Sequence, residues 1–228
     1  MAQGTGILTE LRLEADGLSG RITCPPGLRP APGQYLVAAS SDPFEALLVP
    51  LFPTGRQGEE LCIAPPLPSH WTAGMRLTLR GPLGSGFRLP GSARRVALCA
   101  LDAPPLRLLP VAWQALAQHA AVAVYTHSNP AGLPPEIEVL PLDLLPEAPS
   151  WADFLALDAP LAALPDLRAR LALGPFAHPA ALIQVLVMAS MPCTGLGECG
   201  VCSVPTRAGW RLACSDGPVF DFNQLDSF

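Results

Sequence analysis

The chain has 228 residues, of which 50% are hydrophobic and only 14% charged, and its formal net charge is −5. This composition excludes a disordered chain, and the acidic balance offers no basic stripe for a nucleic-acid backbone. The N-terminus lacks the basic segment and apolar run of a signal peptide, and the longest apolar stretch, 180–191, is too short to cross a bilayer. We therefore expect a cytoplasmic globular protein that partners neither nucleic acid nor a membrane.

Short apolar runs divided by glycine and proline turns characterise residues 1–90. Strands are predicted at 20–24, 34–38, 47–52 and 75–80, and the last of these alternates apolar and polar residues. Many short strands with regular turns favour a small antiparallel barrel or sandwich. We therefore predict a β-barrel as the first domain.

Strand-like and helix-like patterns alternate between residues 91 and 189. Alternation of this kind indicates parallel strands joined by helices, so this stretch is predicted to be a small α/β domain. The patterns predict buried strands at 96–101, 122–125, 137–140 and 183–187, and helices at 106–121 and 161–173.

The segment 190–228 is rich in glycine and contains four of the seven cysteines, spaced C-x5-C-x2-C-x11-C. Thiolates are the ligands of iron–sulfur clusters, and the spacing resembles the plant-type ferredoxin pattern with one extra residue in its first gap. We therefore predict a [2Fe–2S] cluster domain. The predicted cofactor-binding and metal-ligating residues are Cys193, Cys199, Cys202 and Cys214.

Two other chemistries remain open for these cysteines. Structural zinc is one, although zinc ribbons usually present two C-x2-C pairs and only Cys199 and Cys202 form such a pair here. A pair of disulfides is the other, and it is expected in oxidising rather than reducing compartments. The glycines at 195, 197 and 200 favour the cluster, because positive φ angles would let the backbone fold tightly and aim N–H groups at its sulfurs.

No catalytic residue is predicted. The four histidines lie in unrelated segments, and no acid–base pair or nucleophilic triad can be assembled from the sequence. Trp210 lies between two predicted ligands, and we expect it to pack in the core.

Four segments carry a resemblance to a known family: PGQY at 32–35, GPLGSGF at 81–87, MPC at 191–193 and CSDGPVF at 214–220. Through them the chain resembles the electron-transfer subunit of dihydroorotate dehydrogenase B, within the ferredoxin–NADP reductase-like superfamily. The resemblance runs in order along the whole chain. It implies an α+β multidomain fold: an FAD-binding-like antiparallel β-barrel, an NAD-binding-like α/β domain and a [2Fe–2S] domain.

The family also implies a function. Its members pass electrons from NADH to FAD on the barrel, then to the cluster, and then to FMN in a catalytic subunit that interconverts dihydroorotate and orotate. The resemblance therefore implies a hetero-oligomer with a flavoprotein partner in pyrimidine biosynthesis. It assigns the four cysteines as ligands, with Asp216 and Gly217 forming a turn that aims the last one.

The flavin and nicotinamide motifs of the family are degenerate in this chain. Val49 stands where the family has an arginine for the FAD phosphates, and APPLP at 64–68 replaces a glycine loop that donates N–H groups. DAPPL at 102–106 replaces the glycine-rich dinucleotide loop, and its aspartate would repel a phosphate. These changes argue against FAD and NAD, although 81–87 is retained.

Three functions follow as hypotheses. The first is an electron-transfer subunit that relays single electrons to or from a partner flavoenzyme and is not a complete enzyme by itself. The second is a structural subunit whose metal only stabilises the folded structure. The third is a complete FAD-dependent NADH reductase.

Overall fold

The computed structural model describes residues 2–14, 16–40, 48–127, 133–174, 177–193 and 195–225. Its strands form a seven-stranded sheet, a six-stranded sheet and a two-stranded ribbon. No helix within these ranges is long and apolar enough to span a lipid bilayer.

The N-terminal sheet is antiparallel throughout. Its strands are β1 (Ala2–Glu14), β2 (Gly17–Thr23), β3 (Tyr35–Ser40), β4 (Val49–Leu51), β5 (Pro53–Gln57), β6 (Glu60–Leu67) and β7 (Arg76–Leu83). They lie in the order β4-β3-β7-β1-β2-β6-β5. Only Phe52 separates the two edge strands along the chain, and its carbonyl accepts a hydrogen bond from the N–H of Ala64 in β6 at 2.9 Å. The chain therefore passes directly from one edge of the sheet to the other, and the sheet curls into a half-barrel, which confirms the predicted barrel in part.

The interior of the barrel is filled by every second side chain of its strands. In β7, Leu77 and Leu79 are fully buried, whereas the alternating Arg76 and Thr78 are exposed. Since successive side chains of a strand point to opposite faces, this is the pattern expected of a strand with one face on a core. Leu8 and Ile22 complete the same interior.

The second sheet has the order β10-β9-β8-β11-β12-β15, and its first five strands are parallel. This confirms the predicted α/β layer. The parallel strands are β8 (Arg95–Ala100), β9 (Ala121–Thr126), β10 (Ile137–Pro141), β11 (Phe154–Pro160) and β12 (Leu182–Met188). The helices are α1 (Leu109–Ala117), α2 (Ala148–Trp151) and α3 (Leu167–Arg170). Turns of 3-10 helix occupy Pro26–Leu28, Pro105–Leu108, Leu142–Glu147, Leu161–Ala163 and Phe222–Gln224.

The C-terminal segment is tied into this second sheet. Its hairpin pairs β13 (Ser203–Thr206) with β14 (Gly209–Leu212), and β15 (Val219–Asp221) then pairs antiparallel with β12. Phe222 and Leu225 pack into the core of the α/β layer. The cysteine-rich stretch is therefore an excursion between two neighbouring strands. The domain limits 1–90, 91–189 and 190–228 stay predictions.

Some predicted elements differ from the structure. The predicted helix 106–121 is a 3-10 turn followed by α1, and it ends where His119 adopts a φ of +61°. The predicted helix 161–173 is wrong over most of its length. It is split into a 3-10 turn and α3, with Pro165, which cannot donate a helical hydrogen bond, between them. In the predicted strand 47–52, residue 47 lies outside the described residues.

A buried ion pair lies at the carboxyl end of the parallel sheet. The Asp158 side chain in β11 is 1% exposed, and one of its carboxylate oxygens accepts a hydrogen bond from Nε of Arg107 at 2.7 Å. Burial raises the pKa of the Asp158 carboxyl, and Arg107 lowers it in part. The arginine therefore compensates a carboxylate that would otherwise be isolated from water.

Replacing Arg107 by alanine should lower the free energy of unfolding by about 3–5 kcal/mol at neutral pH, because a buried charge loses its partner. The raised pKa of Asp158 favours its protonated form in the folded state. The loss should therefore be smaller at pH 5 than at pH 7.5, as measured by urea denaturation.

The matched control is the Arg95–Asp153 pair, in which both side chains are exposed and Nη2 lies 3.3 Å from Oδ1. Arg95→Ala should leave the urea midpoint almost unchanged, because solvent screens such pairs. Equal losses in the two variants would contradict the role given to the Arg107–Asp158 pair.

Candidate metal centre

The loop that carries the first three cysteines turns on its glycines. Gly195, Gly197 and Gly200 have φ angles of +87°, +74° and +69°, as predicted from the sequence. Side chains with a Cβ rarely adopt this region, so the loop needs glycine at these positions. Thr194, next to the first cysteine, lies outside the described residues.

The four predicted ligands come together as two pairs. The thiol of Cys199 donates a hydrogen bond to the sulfur of Cys193, and the thiol of Cys214 donates to the sulfur of Cys202. Cys193 and Cys202 are also both near enough to Cys214 to raise its pKa by charge repulsion. Cys202 and Cys214 are buried, Cys193 is half-buried and Cys199 is exposed. The centre therefore has a buried side and a side that faces outward.

Backbone N–H groups are aimed at the first cysteine. Burial, the largest influence, raises the pKa of Cys193. Hydrogen bonds from the Cys199 thiol and from the N–H groups of Cys199, Glu198 and Gly197 outweigh it and lower the pKa to about 6. Burial raises the pKa of Cys214 to about 12. The loop therefore already stabilises negative charge on the Cys193 sulfur, as a cluster ligand requires.

The arrangement of the cysteines in two pairs can be compared with the ligand arrangements of zinc and of a two-iron cluster. A two-iron cluster divides four thiolates between two metals, and two pairs of cysteines match that division. A single zinc ion takes its thiolates around one centre. The choice between a [2Fe–2S] cluster and zinc, and the assignment of the cysteines as ligands, stay predictions.

Segment 81–87 at the end of the barrel lies in close contact with segment 214–220, which contains the last predicted ligand. A Cβ on Gly84 would lie 2.5 Å from the carbonyl oxygen of Gly217, so glycine is required for this approach. Ser85 forms an isolated bridge with Pro218, and the side-chain amide of Gln34 donates to the Gly84 carbonyl at 2.9 Å. The retained segment 81–87 therefore supports the cysteine-rich segment.

Residues of the PGQY motif at 32–35 also contact segment 214–220. A Cβ on Gly33 would lie 2.7 Å from a methyl group of Val219, and the hydroxyl of Tyr35 donates to the carbonyl of Cys214 at 2.9 Å. Burial raises the pKa of Tyr35, and the nearby Cys214, Cys202 and Cys193 raise it further, so the hydroxyl keeps its proton. Sequence reasoning missed this role of Tyr35, whose signal was its place at the end of the PGQY motif, two residues after the glycine.

The turn after the last ligand is tight, as the resemblance implies. A carboxylate oxygen of Asp216 accepts a hydrogen bond from the N–H of Leu212 at 2.8 Å. The N–H groups of Asp216 and Gly217 both donate to the carbonyl of Leu212, at 2.8 and 3.1 Å. The backbone therefore wraps around Cys214.

The segment that resembles a flavin-binding stretch does not fit FAD. Val49 is half-buried and carries no charge, and Pro65 and Pro66 in β6 have no N–H groups to donate. The Phe52 side chain is 6% exposed and stacks on Tyr35 with 5.4 Å between ring centroids. Hydrocarbon fills this part of the barrel, where a pyrophosphate would need a fixed positive charge or a nest of N–H groups.

The loop after β8 does not fit a dinucleotide either. Asp102 adopts a φ of +63°, and the chain then enters the 3-10 turn Pro105–Leu108. Ligands of open α/β sheets bind at the carboxyl ends of the strands. Here the buried Arg107–Asp158 pair lies at that end.

Three large apolar side chains of the cysteine-rich segment are exposed. Leu196 and Val201 flank Cys199 along the chain, and Trp210 lies in the hairpin. The expectation that Trp210 packs in the core is wrong, because 69% of its side chain is exposed. We call Leu196, Val201 and Trp210 the exposed apolar residues.

A polar groove of about 750 Å³ lies beside the last ligand. Ser215, next to Cys214, lines it, together with the exposed side chains of Arg88, Arg207 and Arg211. None of these three arginines has an ion-pair partner within the described part of the chain. The groove, which Asp216 and Asp221 also line, therefore places three arginines close to the cysteines.

Residues 189–226 match the family model for the iron-sulfur cluster binding domain of dihydroorotate dehydrogenase B. The C-terminal segment is similar to the iron–sulfur binding domain of this family. The resemblance predicted from the sequence is thereby confirmed.

Solved structures show the fold of the whole chain. An NADH-dependent reduced ferredoxin-NADP oxidoreductase, described for flavin-based electron bifurcation, aligns with a TM-score of 0.75 at 16% identity, covering 97% of this chain and 90% of that one. A ferredoxin NADP⁺ reductase from Neisseria gonorrhoeae, with bound FAD and NADP, aligns with a TM-score of 0.57 at 10% identity, covering 81% and 98%. The fold is therefore ferredoxin reductase-like. No curated protein sequence matches the chain.

Replacing Cys199 by serine should abolish iron binding, because one of the two pairs loses a thiolate. Iron and acid-labile sulfide per protein should fall to background, and the midpoint of thermal unfolding should drop, since metal binding contributes folding free energy. Both are measured on anaerobically purified protein.

Cys62→Ser is the matched control, because Cys62 is also accessible in part but lies in β6 of the barrel. It should retain full iron. A Cys199→Ser variant with the same iron content as Cys62→Ser would remove Cys199 from the ligand set.

Proposed function

We propose that this chain is the electron-transfer subunit of a flavoenzyme complex and relays single electrons through a [2Fe–2S] cluster. The observation that carries the proposal is the gathering of Cys193/Cys199 and Cys202/Cys214 into two pairs within a segment that matches an iron–sulfur family. Such a cluster, when bound, supplies one-electron oxidation and reduction.

The residues around the cysteines suit this role. The N–H groups of Gly197, Glu198 and Cys199 stabilise charge on the Cys193 sulfur, and hydrogen bonds to cluster sulfurs are among the factors that set a reduction potential. The burial of Cys202 and Cys214 keeps water from one side. The exposed Cys199 leaves the opposite side open to a partner.

The flavin of the complex belongs to the partner in this proposal. Val49, Phe52 and the prolines of β6 leave the barrel without the groups that FAD needs, and the loop after β8 is altered in the same way. The family name supports a dihydroorotate dehydrogenase-like catalytic subunit carrying FMN, in a cytoplasmic hetero-oligomer of pyrimidine biosynthesis. The barrel and the α/β layer would then hold the cluster in place.

The absorbance spectrum of anaerobically purified protein tests the metal centre and the flavin together. Visible bands that bleach with dithionite, with about two irons and two sulfides per chain, are expected for a [2Fe–2S] cluster. No flavin should be released on acid denaturation. A colourless zinc protein would leave only a structural role, and released FAD would show a complete reductase.

The exposed apolar residues and the polar groove with its three arginines support a partner surface beside the cysteines. Exposed apolar side chains rimmed by polar residues mark interaction sites, and tryptophan and arginine are enriched among the residues that dominate binding. Trp210 is therefore expected to contribute more than either of the other two exposed apolar residues.

Trp210→Ala should weaken binding of the catalytic subunit by at least about tenfold, as expected for a binding hot spot, without loss of iron. Trp113→Ala is the control, because Trp113 is 41% exposed on α1, away from the cysteines. Binding is measured by calorimetry with the FMN-containing partner purified from the native complex. Equal affinities of the two variants would place the partner elsewhere.

A further inference from the structure

Tyr35 connects the barrel to the metal centre through a single buried side chain. It is fully buried at the start of β3, and its hydroxyl donates to the carbonyl of Cys214 at 2.9 Å, across 179 residues of sequence. A buried hydroxyl is costly unless it has a partner, and here the partner is the backbone of a predicted ligand.

The ring of Tyr35 is held on two sides. It stacks on Phe52 with an angle of 28° between the planes, and a Cβ on Gly84 would lie 3.2 Å from its Cε1 atom. The stacked Phe52 ring and the nearby backbone of Gly84 leave the ring little freedom, because a packed interior resists displacement. The position of the hydroxyl is therefore fixed by the barrel.

The same hydroxyl also contacts the loop of the first three cysteines. A Cβ on Gly195 would lie 3.1 Å from the Tyr35 oxygen, so Gly195 lies close to this hydroxyl. The Tyr35 oxygen is thus near the loop two residues after Cys193 and is hydrogen-bonded to the carbonyl of Cys214. These cysteines belong to different pairs.

We infer that Tyr35 is a positioning residue, which sets the distance between the two cysteine pairs and thereby the reduction potential of the centre. The inference rests on the proposed function. Groups behind metal ligands orient them and tune the metal, and hydrogen bonding and solvent exposure set the potential of iron–sulfur sites. Phe52 and Tyr35, which pack with the core of the α/β layer, then support the metal centre in place of a flavin.

Tyr35→Phe tests this inference, because it removes only the hydroxyl and keeps the stacked ring. Without the hydrogen bond the Cys214 backbone is held less tightly and water reaches its sulfur more easily. Water stabilises the more negative reduced state, so the reduction potential should rise. Loss of iron to the chelator bathophenanthroline should become roughly two- to tenfold faster, as expected for one hydrogen bond.

Tyr125→Phe is the matched control, since the chain has only two tyrosines and Tyr125 is also buried, in β9. It should change neither the potential nor the rate of iron loss. Spectroelectrochemical titration of the three proteins measures the potential, and thermal unfolding of metal-free protein measures general damage. A merely structural Tyr35 would lower the thermal midpoint and leave the potential unchanged.

The outcomes separate this inference from the proposed function. An iron-loaded wild type with an unchanged potential and rate of iron loss in Tyr35→Phe overturns the inference alone. A wild type without iron overturns both. A raised potential with faster iron loss, absent from Tyr125→Phe, supports the inference.

Discussion

The close approach of Gly84 to Gly217 is the contact on which the arrangement of this protein depends. It brings the end of the barrel against the turn that follows the last predicted ligand, at a distance that no residue with a Cβ allows. Around it, Gln34 bonds to the Gly84 carbonyl and Ser85 pairs with Pro218. The barrel thus holds the cysteine-rich segment by backbone contact, and the side chains nearby, including Tyr35, can be aimed because that contact is rigid.

The contact between the barrel and the α/β layer shows what the scaffold does here. Phe52 and Tyr35 come from barrel strands or their ends, and their rings stack on each other. Both belong to the same buried core as the residues of the α/β layer. Apolar burial therefore joins the two sheets into one support.

The sequence predicted the features that depend on local chemistry. The cysteine spacing, the positive φ of Gly195, Gly197 and Gly200 and the alternation in β7 each follow from residue type and position. The sequence did not predict the features that depend on contacts between residues far apart in the chain. The central strand β11 (FLALDAP) is rich in alanine and contains Asp158, which only the distant Arg107 makes tolerable in a core. The contact of Tyr35 with Cys214 could not be predicted for the same reason, since the two are far apart in sequence.

The insertion of the cysteine-rich stretch between β12 and β15 has a thermodynamic consequence. Both ends of the excursion are fixed by hydrogen bonds of adjacent strands, including that from the N–H of Val187 to the carbonyl of Pro218 at 2.8 Å. The entropy of closing this loop is therefore lost when the sheet folds, before any metal arrives. A metal would therefore bind a segment whose two ends are already held in the sheet. Its binding free energy would not be used to close the loop, and more of it would be available to order the thiols.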